Sequence, residues 1–302
     1  MTSHHPPHDQ LFRQLLDHFF SDFMYAFFPD IEADIDLDSS EPVSTDAWFS
    51  GEQKSPLRPD FVVKTRLKSV DVVILIHVEE QSSYDPHFHR RMSGYYARLV
   101  DRYQCPILPI AIFSYRTPEK EPATEVIHTI NGRTYFYFAY ESLFLKKLSW
   151  RAFMEMENPA AAALMSLMGY TEEEKVACKK AFLRLMLKME LKAQHRHFVM
   201  QFFDFYLILN DKEEMKLREE VKQLEQEESI AIEDFMTSYE RLGWKKGKTD
   251  GIEEGIKKGI ENERTTTAKR MLAKGMDIAF IAEMTGMSEQ KVRMLQAVQK
   301  SE

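Results

Sequence analysis

The chain has 302 residues, of which 44% are hydrophobic and 12% aromatic, so it is long enough to bury a substantial core in one large domain or two moderate ones. Its formal net charge of −8 argues against a protein that coats nucleic acid by bulk positive charge. The charge is uneven: residues 1–57 hold two basic against eleven acidic side chains, whereas residues 58–102 and 241–302 carry a basic surplus.

Cysteine usage and hydropathy predict a cytoplasmic protein. Cys105 and Cys178 are far apart and lack metal-ligand spacing, so both are expected to be buried thiols in a reducing compartment. No apolar run reaches transmembrane length, and the first residues lack the apolar segment of a signal peptide. We therefore expect no membrane partner.

The first predicted element is a helix from His8 to about Phe28, in which large apolar side chains recur every four residues. Asp9 lies in its first turn. One interpretation is a carboxylate favoured by the helix macrodipole; the other is an acid directed at a metal site. The acidic, Ser- and Pro-containing residues 30–57 predict an irregular loop.

Two strands are predicted after the turn at Pro59-Asp60. Residues 61–63 are β-formers, and residues 72–81 form a continuous, largely β-branched run that is too short for a helix and ends in acids. If the two strands form a hairpin, Asp60 at the start of the first lies near Glu79 at the end of the second. Two carboxylates that meet at a sheet end repel each other unless a cation is shared between them. The pattern therefore predicts a divalent-metal site held by Asp60 and Glu79.

Alternation along the second strand places His77, Glu79 and Gln81 on one face and Glu80 on the other. A histidine beside two carboxylates is expected to be a protonated structural partner, and the alternative is that His77 assists the chemistry. Both interpretations remain open at this point.

A helix over residues 86–103 is predicted next, with Asp85 as N-cap and Pro86 at its first position. Residues 107–113 read as a buried strand, which implies a right-handed parallel crossover from the preceding strand. Another strand is expected at residues 133–138. The order of elements predicts a mixed sheet flanked by helices.

From Trp150 onward the pattern is helical throughout. Helices are predicted from Asn158-Pro159 to Gly169, from the capping box that begins at Thr171, over residues 192–209 and over residues 212–228. His195 and His197 are two apart and do not share a helix face, which favours a structural role over a ligand pair.

The tail contains two features. Glycines recur every four residues from Gly243 to Gly259, and each costs about 1 kcal/mol relative to alanine inside a helix. Close helix packing in self-association and a partly helical linker both account for them. Residues 268–292, with a turn at Gly286 and an N-cap at Ser288, resemble a helix-turn-helix, so DNA contact and a helical hairpin without DNA contact both remain open.

Several motifs together resemble the PD-(D/E)xK nuclease superfamily, and most closely its Rpn (recombination-promoting nuclease) or YhgA-like transposase branch. They are Pro59-Asp60, the Glu79-x-Gln81 strand end, a helix with Arg91 and Tyr95, and His8-Asp9-x-x-Phe12. The resemblance covers residues 8–145 specifically and the tail more loosely. It implies an α/β, restriction-endonuclease-like fold followed by an all-α C-terminal half.

The resemblance also implies an activity and roles for individual residues. It implies Mg²⁺- or Mn²⁺-dependent cleavage of DNA phosphodiester bonds with low sequence specificity, and its name suggests a link to recombination or mobile elements. Asp60 and Glu79 would bind the metal, Asp9 would be the helix-borne acid, and Gln81 stands where the superfamily usually has lysine. Gln can hydrogen-bond a water but accepts no proton at neutral pH. Flanking phosphates would be bound by the basic residues Lys64, Arg90 and Arg91.

The sequence thus predicts a nuclease-like domain over residues 1–148, a helical domain over 149–240 and a glycine-spaced, helix-turn-helix-like tail over 241–302. Two alternatives stand beside a nuclease. The first is a degenerate nuclease fold that only binds DNA or a partner, without cleavage. The second is an oligomeric scaffold that associates through the C-terminal helices.

Overall fold

In the computed structural model, the residues described are 8–44, 59–70, 72–118 and 120–299, with no side chain described at 240, 242–257 and 297–299. Residues Met1–Glu233 form one compact unit and Asp234–Glu302 a second. The architecture is a mixed five-stranded sheet with flanking helices, followed by a helical C-terminal half. This confirms the predicted α/β fold class; the three-domain division stays a prediction.

The main sheet has the strand order β1-β2-β3-β4-β7. A separate two-stranded sheet consists of β5 and β6. The strands are β1 (Ile35–Pro42), β2 (Phe61–Leu67), β3 (Val73–Gln81), β4 (Ile107–Phe113), β5 (Glu125–Ile130), β6 (Arg133–Ala139) and β7 (Glu141–Phe144).

The α-helices are distributed before, within and after the sheet. They are α1 (His8–Phe27), α2 (Pro29–Glu32), α3 (Phe88–Tyr103), α4 (Pro159–Leu164), α5 (Lys175–Lys188), α6 (Ala193–Tyr206), α7 (Asp211–Lys222), α8 (Gln226–Ala273), α9 (Ile278–Thr285) and α10 (Glu289–Gln299). No described helix combines the length and the apolar composition that crossing a bilayer requires.

The predicted hairpin is present, because β2 and β3 pair antiparallel with Phe61 opposite Val78. The crossover through α3 then adds β4 parallel to β3, and β7 is added parallel to β4. The carboxyl ends of β3, β4 and β7 therefore share one edge of the sheet, and the start of β2 lies at the same edge. This topology determines where the candidate site lies.

The two faces of the sheet are covered by different helices. On one face, Phe20 of α1 contacts Phe61 with ring centroids 5.7 Å apart. On the other face, Leu99 of α3 packs with Val62 and Leu75. Burial of apolar residues from both faces explains why β3 reads as a continuous apolar run rather than an alternating one.

Some predicted elements were wrong in their bounds. Residues 30–57 were expected to be an irregular loop, but most of α2 and the whole of β1 lie within the described part of that range. Residues 45–58 lie outside the described residues. Acidic residues and serine are poor strand formers, yet β1 pairs antiparallel with β2 and buries Ile35. Tertiary pairing therefore overrides local propensity.

The predicted start of α3 is also corrected. The helix begins at Phe88 with His87 at the N-cap position, not at Pro86. Asp85 instead accepts a hydrogen bond from the His87 main-chain N–H at 2.8 Å, so it stabilises the turn that precedes the helix. The strand predicted at residues 133–138 is present as β6, and it pairs antiparallel with β5. Neither β5 nor β7 was predicted from the sequence.

The helical elements after Trp150 follow their capping signals. Asn158 caps α4 by accepting from the Ala161 N–H, and Thr171 and Glu174 form the predicted capping box. The segment that contains the spaced glycines is helical within α8, whereas self-association through it stays a prediction. In the second unit, Gly286 adopts a left-handed conformation with φ of 65° between α9 and α10.

Gly169 makes the closest backbone approach among the described glycines. A Cβ built there would lie 2.4 Å from the Lys146 carbonyl oxygen and 3.3 Å from that of Leu148. Both obstacles are backbone atoms, which cannot rotate away. We expect Gly169→Ala to lower the free energy of unfolding by about 2 kcal/mol, measured by urea denaturation.

Gly94→Ala is the matched control, because Gly94 lies within α3 and a Cβ there would have no atom within 4 Å. Alanine is the better helix former, so this variant is expected to gain up to about 1 kcal/mol. Equal stabilities for the two variants would contradict the steric account of Gly169.

Candidate functional site

Asp60 and Glu79 lie side by side at the shared edge of the sheet. The Asp60 main-chain N–H donates to Glu79 Oε1 at 2.8 Å, and the Glu80 N–H donates to Asp60 Oδ2 at 3.0 Å. Each carboxylate is thus oriented by the main chain next to the other. The second oxygen of each carboxylate makes no hydrogen bond within the described part of the chain.

Burial and neighbouring charge disfavour ionisation of both groups. The pKa of Asp60 is raised to about 7, first by burial and then by the Glu79 charge. Burial likewise raises the pKa of Glu79 to about 8, opposed by the Asp60 N–H and by Arg91. Two neighbouring carboxyl groups with raised pKa values, one buried and one half-buried, form a site that gains stability when a cation neutralises them.

His77 is fully buried behind this pair. Its Nε2 lies 2.8 Å from Glu79 Oε1, and its ring meets that of Tyr95 edge-on with centroids 5.2 Å apart. Burial lowers the pKa of His77 to about 4. The expectation of a protonated histidine is therefore wrong, because desolvation outweighs the attraction of the nearby carboxylates. With Glu79 ionised, the neutral ring donates from Nε2 to Glu79.

A divalent ion such as Mg²⁺ fits the chemistry of this pair. Among the residues described, no three His, Cys, Asp or Glu side chains form a preassembled metal-ligand cluster. Mg²⁺ does not require one, since it is commonly held by one or two carboxylates together with waters and substrate phosphates. The two oxygens without hydrogen bonds supply a donor set of that kind. Metal binding itself stays a prediction.

Two further predicted site residues lie near the pair. Asp9 is exposed in the first turn of α1, and its charge contributes to the raised pKa of both Asp60 and Glu79. Arg91 lies on α3, where its charge lowers the pKa of Glu79. Its guanidinium donates to Asp85 Oδ2 at 2.8 Å, so the arginine is held beside the site by a carboxylate.

The remaining predicted residues are more dispersed. Gln81 lies on the same, α3-side face of β3 as Glu79, because the two residues are two positions apart on the strand. The Gln81 amide donates to the Glu80 carbonyl at 2.9 Å. Arg90 is exposed on α3. Lys64 is opposite Leu75, near the other end of β3, so the structure does not bring it to the carboxylate pair. The DNA contacts assigned to these residues stay predictions.

A side-chain network on the α1-side face escaped the sequence analysis. His8 Nε2 lies 2.5 Å from Glu80 Oε2, while His8 Nδ1 lies 2.6 Å from the Tyr206 hydroxyl. The Ser114 hydroxyl donates to the other oxygen of Glu80. The network connects α1, β3, the end of β4 and α6 on the face of β3 opposite to Glu79.

We expect His8→Ala to lower the free energy of unfolding by about 1 to 3 kcal/mol, because it leaves a buried carboxylate with one partner fewer. Tyr206→Phe removes one hydroxyl at the end of the network and should cost about 1 kcal/mol. Urea denaturation of both variants and of the double variant measures the coupling. Strictly additive losses would contradict a connected network.

Comparison with known proteins gives one family match. Residues 267–297 match the model of the C-terminal helix-turn-helix domain of the Rpn/YhgA-like nuclease family. The matched segment runs from the end of α8 through α9 into α10, and it contains the predicted turn and N-cap. No curated protein and no solved structure matches the chain. The match, which covers the C-terminal segment alone, confirms the resemblance to the Rpn/YhgA-like nuclease family of the PD-(D/E)xK superfamily that was inferred from the sequence.

Proposed function

We propose that the chain is a metal-dependent DNA endonuclease of low sequence specificity, with Asp60 and Glu79 as the ligands of Mg²⁺ or Mn²⁺. The observation that carries the proposal is the pair formed by the buried Glu79 and the half-buried Asp60 at one sheet edge, each with a carboxylate oxygen that no described residue binds. The family match supports it as well, because the matched C-terminal domain belongs to a family described as Rpn/YhgA-like nucleases.

The residues around the carboxylate pair have different roles in the proposed reaction. When bound, the metal ion would acidify a coordinated water and neutralise charge on the phosphate. His77 and the Asp60 N–H orient Glu79, and the Glu80 N–H orients Asp60. Asp9 adds a third negative charge at the exposed side of the site, which favours a cation there.

Gln81 and Arg91 contribute differently from the usual superfamily lysine. Gln81 cannot take a proton from the attacking water, so its role is to hydrogen-bond that water or a phosphate oxygen. Arg91 carries a permanent positive charge beside Glu79 and is suited to a bidentate contact with phosphate. Lys64 and Arg90 would add contacts farther along the DNA, without base readout.

The second candidate is a DNA-binding protein without cleavage. The hydrogen bond from the Gln81 amide to the Glu80 carbonyl favours it, because this amide is already engaged within the strand end. The helix-turn-helix match supports DNA binding under either proposal.

Nicking of supercoiled plasmid by the full chain separates the two candidates. An endonuclease nicks in Mg²⁺ or Mn²⁺ and is silent in EDTA. A binding protein retards the plasmid in both conditions and leaves it supercoiled. Nicking that persists in EDTA would argue against a metal-dependent site.

A further inference from the structure

A cleft opens where β4 and β7 end, with a volume of about 230 Å³. Its floor is aromatic: Phe113 and Phe144 stack with ring centroids 4.4 Å apart, and Tyr115 lies beside them. Three lysines line it, Lys120, Lys146 and Lys147. Neither the sequence motifs nor the family match assigns this cleft a role.

The cleft lies on the same edge and the same face of the sheet as the carboxylate pair. Gln81 is opposite Phe113, and Phe113 is opposite Phe144, in neighbouring parallel strands. Residues in register on parallel strands direct their side chains to the same face. The row from Gln81 to Phe144 therefore spans two strand spacings, about 10 Å in all.

The charges of the cleft suit a polyanion. Lys120 and Lys147 are exposed. Lys147 forms an ion pair with Glu121, in which the lysine side chain is 63% exposed. Such an exposed pair contributes little and is readily exchanged for another anion. Lys146 donates to the Arg116 carbonyl at 2.7 Å, which holds its ammonium group at the rim.

We propose that this cleft binds backbone phosphates of the substrate DNA strand that flank the scissile phosphate. The cleft is suited to flanking phosphates because it lies about two strand spacings from Gln81 on the same face of the sheet. Lysine contacts to phosphate fix the register of the strand and carry no base preference. The position relative to the scissile phosphate rests on the proposed nuclease function, whereas DNA binding in the cleft does not.

The first test measures the affinity of the full chain for a labelled DNA oligonucleotide in EDTA at several salt concentrations. Lys120→Gln/Lys147→Gln is expected to weaken binding about tenfold and to reduce the slope of log affinity against log salt by about 2, because two phosphate contacts are lost. Both side chains are exposed, so the melting temperature should stay unchanged.

Lys188→Gln/Lys216→Gln is the matched control. These lysines lie on α5 and α7 and pair with Glu155 and Glu220, as Lys147 pairs with Glu121. The control removes the same net charge from another part of the chain and should bind within twofold of the wild type. Equal weakening of DNA binding by both double variants would show that the loss of net charge alone explains the effect, and it would contradict the proposed role of the cleft.

The second test locates the DNA directly, because the helix-turn-helix tail also offers DNA contact. DNA that carries a thiol tether on a backbone phosphate is expected to form a disulfide with Lys147→Cys in at least tenfold higher yield than with Lys188→Cys. Equal yields would overturn the proposal. This single exposed substitution leaves the buried aromatic floor intact.

The two proposals fail in different ways. If the wild type does not nick but the cleft variant binds weakly and the tether reacts at residue 147, the nuclease proposal falls and the cleft stands as a DNA-binding site. If nicking depends on Asp60 while the cleft variant binds like the wild type, the cleft proposal falls and the nuclease stands.

Discussion

Asp60→Asn and Glu79→Gln are each expected to lower Mg²⁺-dependent plasmid nicking by about 10³-fold. Both substitutions keep the shape of the side chain and remove the negative charge that would hold the cation. Loss of metal-based stabilisation of several kcal/mol in the transition state corresponds to a rate loss of that order. Initial rates of nicking under saturating Mg²⁺ measure the effect.

Glu155→Gln is the control for this pair of variants. It removes one carboxylate that is 70% exposed and paired with Lys188, away from the sheet edge. Its nicking rate should equal that of the wild type. If all three variants nick equally well, the carboxylate pair is not the catalytic site.

Stability in EDTA is expected to fall by about 2 to 3 kcal/mol as the pH rises from about 6.5 to about 8.5. In the unfolded chain, aspartate and glutamate ionise near pH 4, whereas the folded pKa values of Asp60 and Glu79 are about 7 and about 8. Between these limits the folded state binds more protons than the unfolded state. The stabilisation is therefore present at low pH and is lost as the pH passes through the folded values.

His77 contributes with the opposite sign, but at lower pH. Its folded pKa is about 4, below the ordinary value of 6.5, so its contribution increases as the pH rises to about 6.5 and is nearly constant above. The window above pH 6.5 therefore isolates the carboxylates. Urea denaturation at fixed pH values measures the dependence.

Glu79→Gln should flatten this pH dependence, while Glu155→Gln should leave it unchanged. Mg²⁺ should stabilise the wild type more at pH 8.5 than at pH 6.5, because a metal ion binds the deprotonated carboxylates and competes with protons. A pH-independent wild type, or equal stabilisation by Mg²⁺ at both pH values, would show that the two carboxyl groups are not coupled as described.

Much of the candidate site could be predicted because its geometry is local. The strand that follows Pro59-Asp60 and the apolar run that ends in Glu79 form a hairpin, and antiparallel pairing brings the start of the first strand to the end of the second. The two-residue period of a strand then places His77, Glu79 and Gln81 on one face. Helix ends with side-chain caps, such as Asn158, were also readable because a cap bonds to main chain two or three residues away.

Other features of the site could not be predicted from the sequence, because they depend on residues far apart in the chain. His8 and Tyr206 are separated by 198 positions, yet they share a hydrogen bond beside Glu80. No local pattern marks Tyr206 as a partner. The protonation state of His77 was predicted wrongly for a related reason: its depth of burial depends on α3 and the neighbouring strands together, not on the residues beside it in sequence.

The sequence by itself determined the strand pair, the face on which Glu79 and Gln81 lie, and the helix-turn-helix at the end of the chain, because each depends on periodicity and short-range hydrogen bonds. Only the tertiary structure decided the strand at Ile35, the network through His8 and the lysine-lined cleft at Phe144. Those features arise from the order of strands in the sheet, in which β1 and β7 are the two outermost strands. Strand order is governed by burial and by pairing between distant segments, which local propensity does not encode.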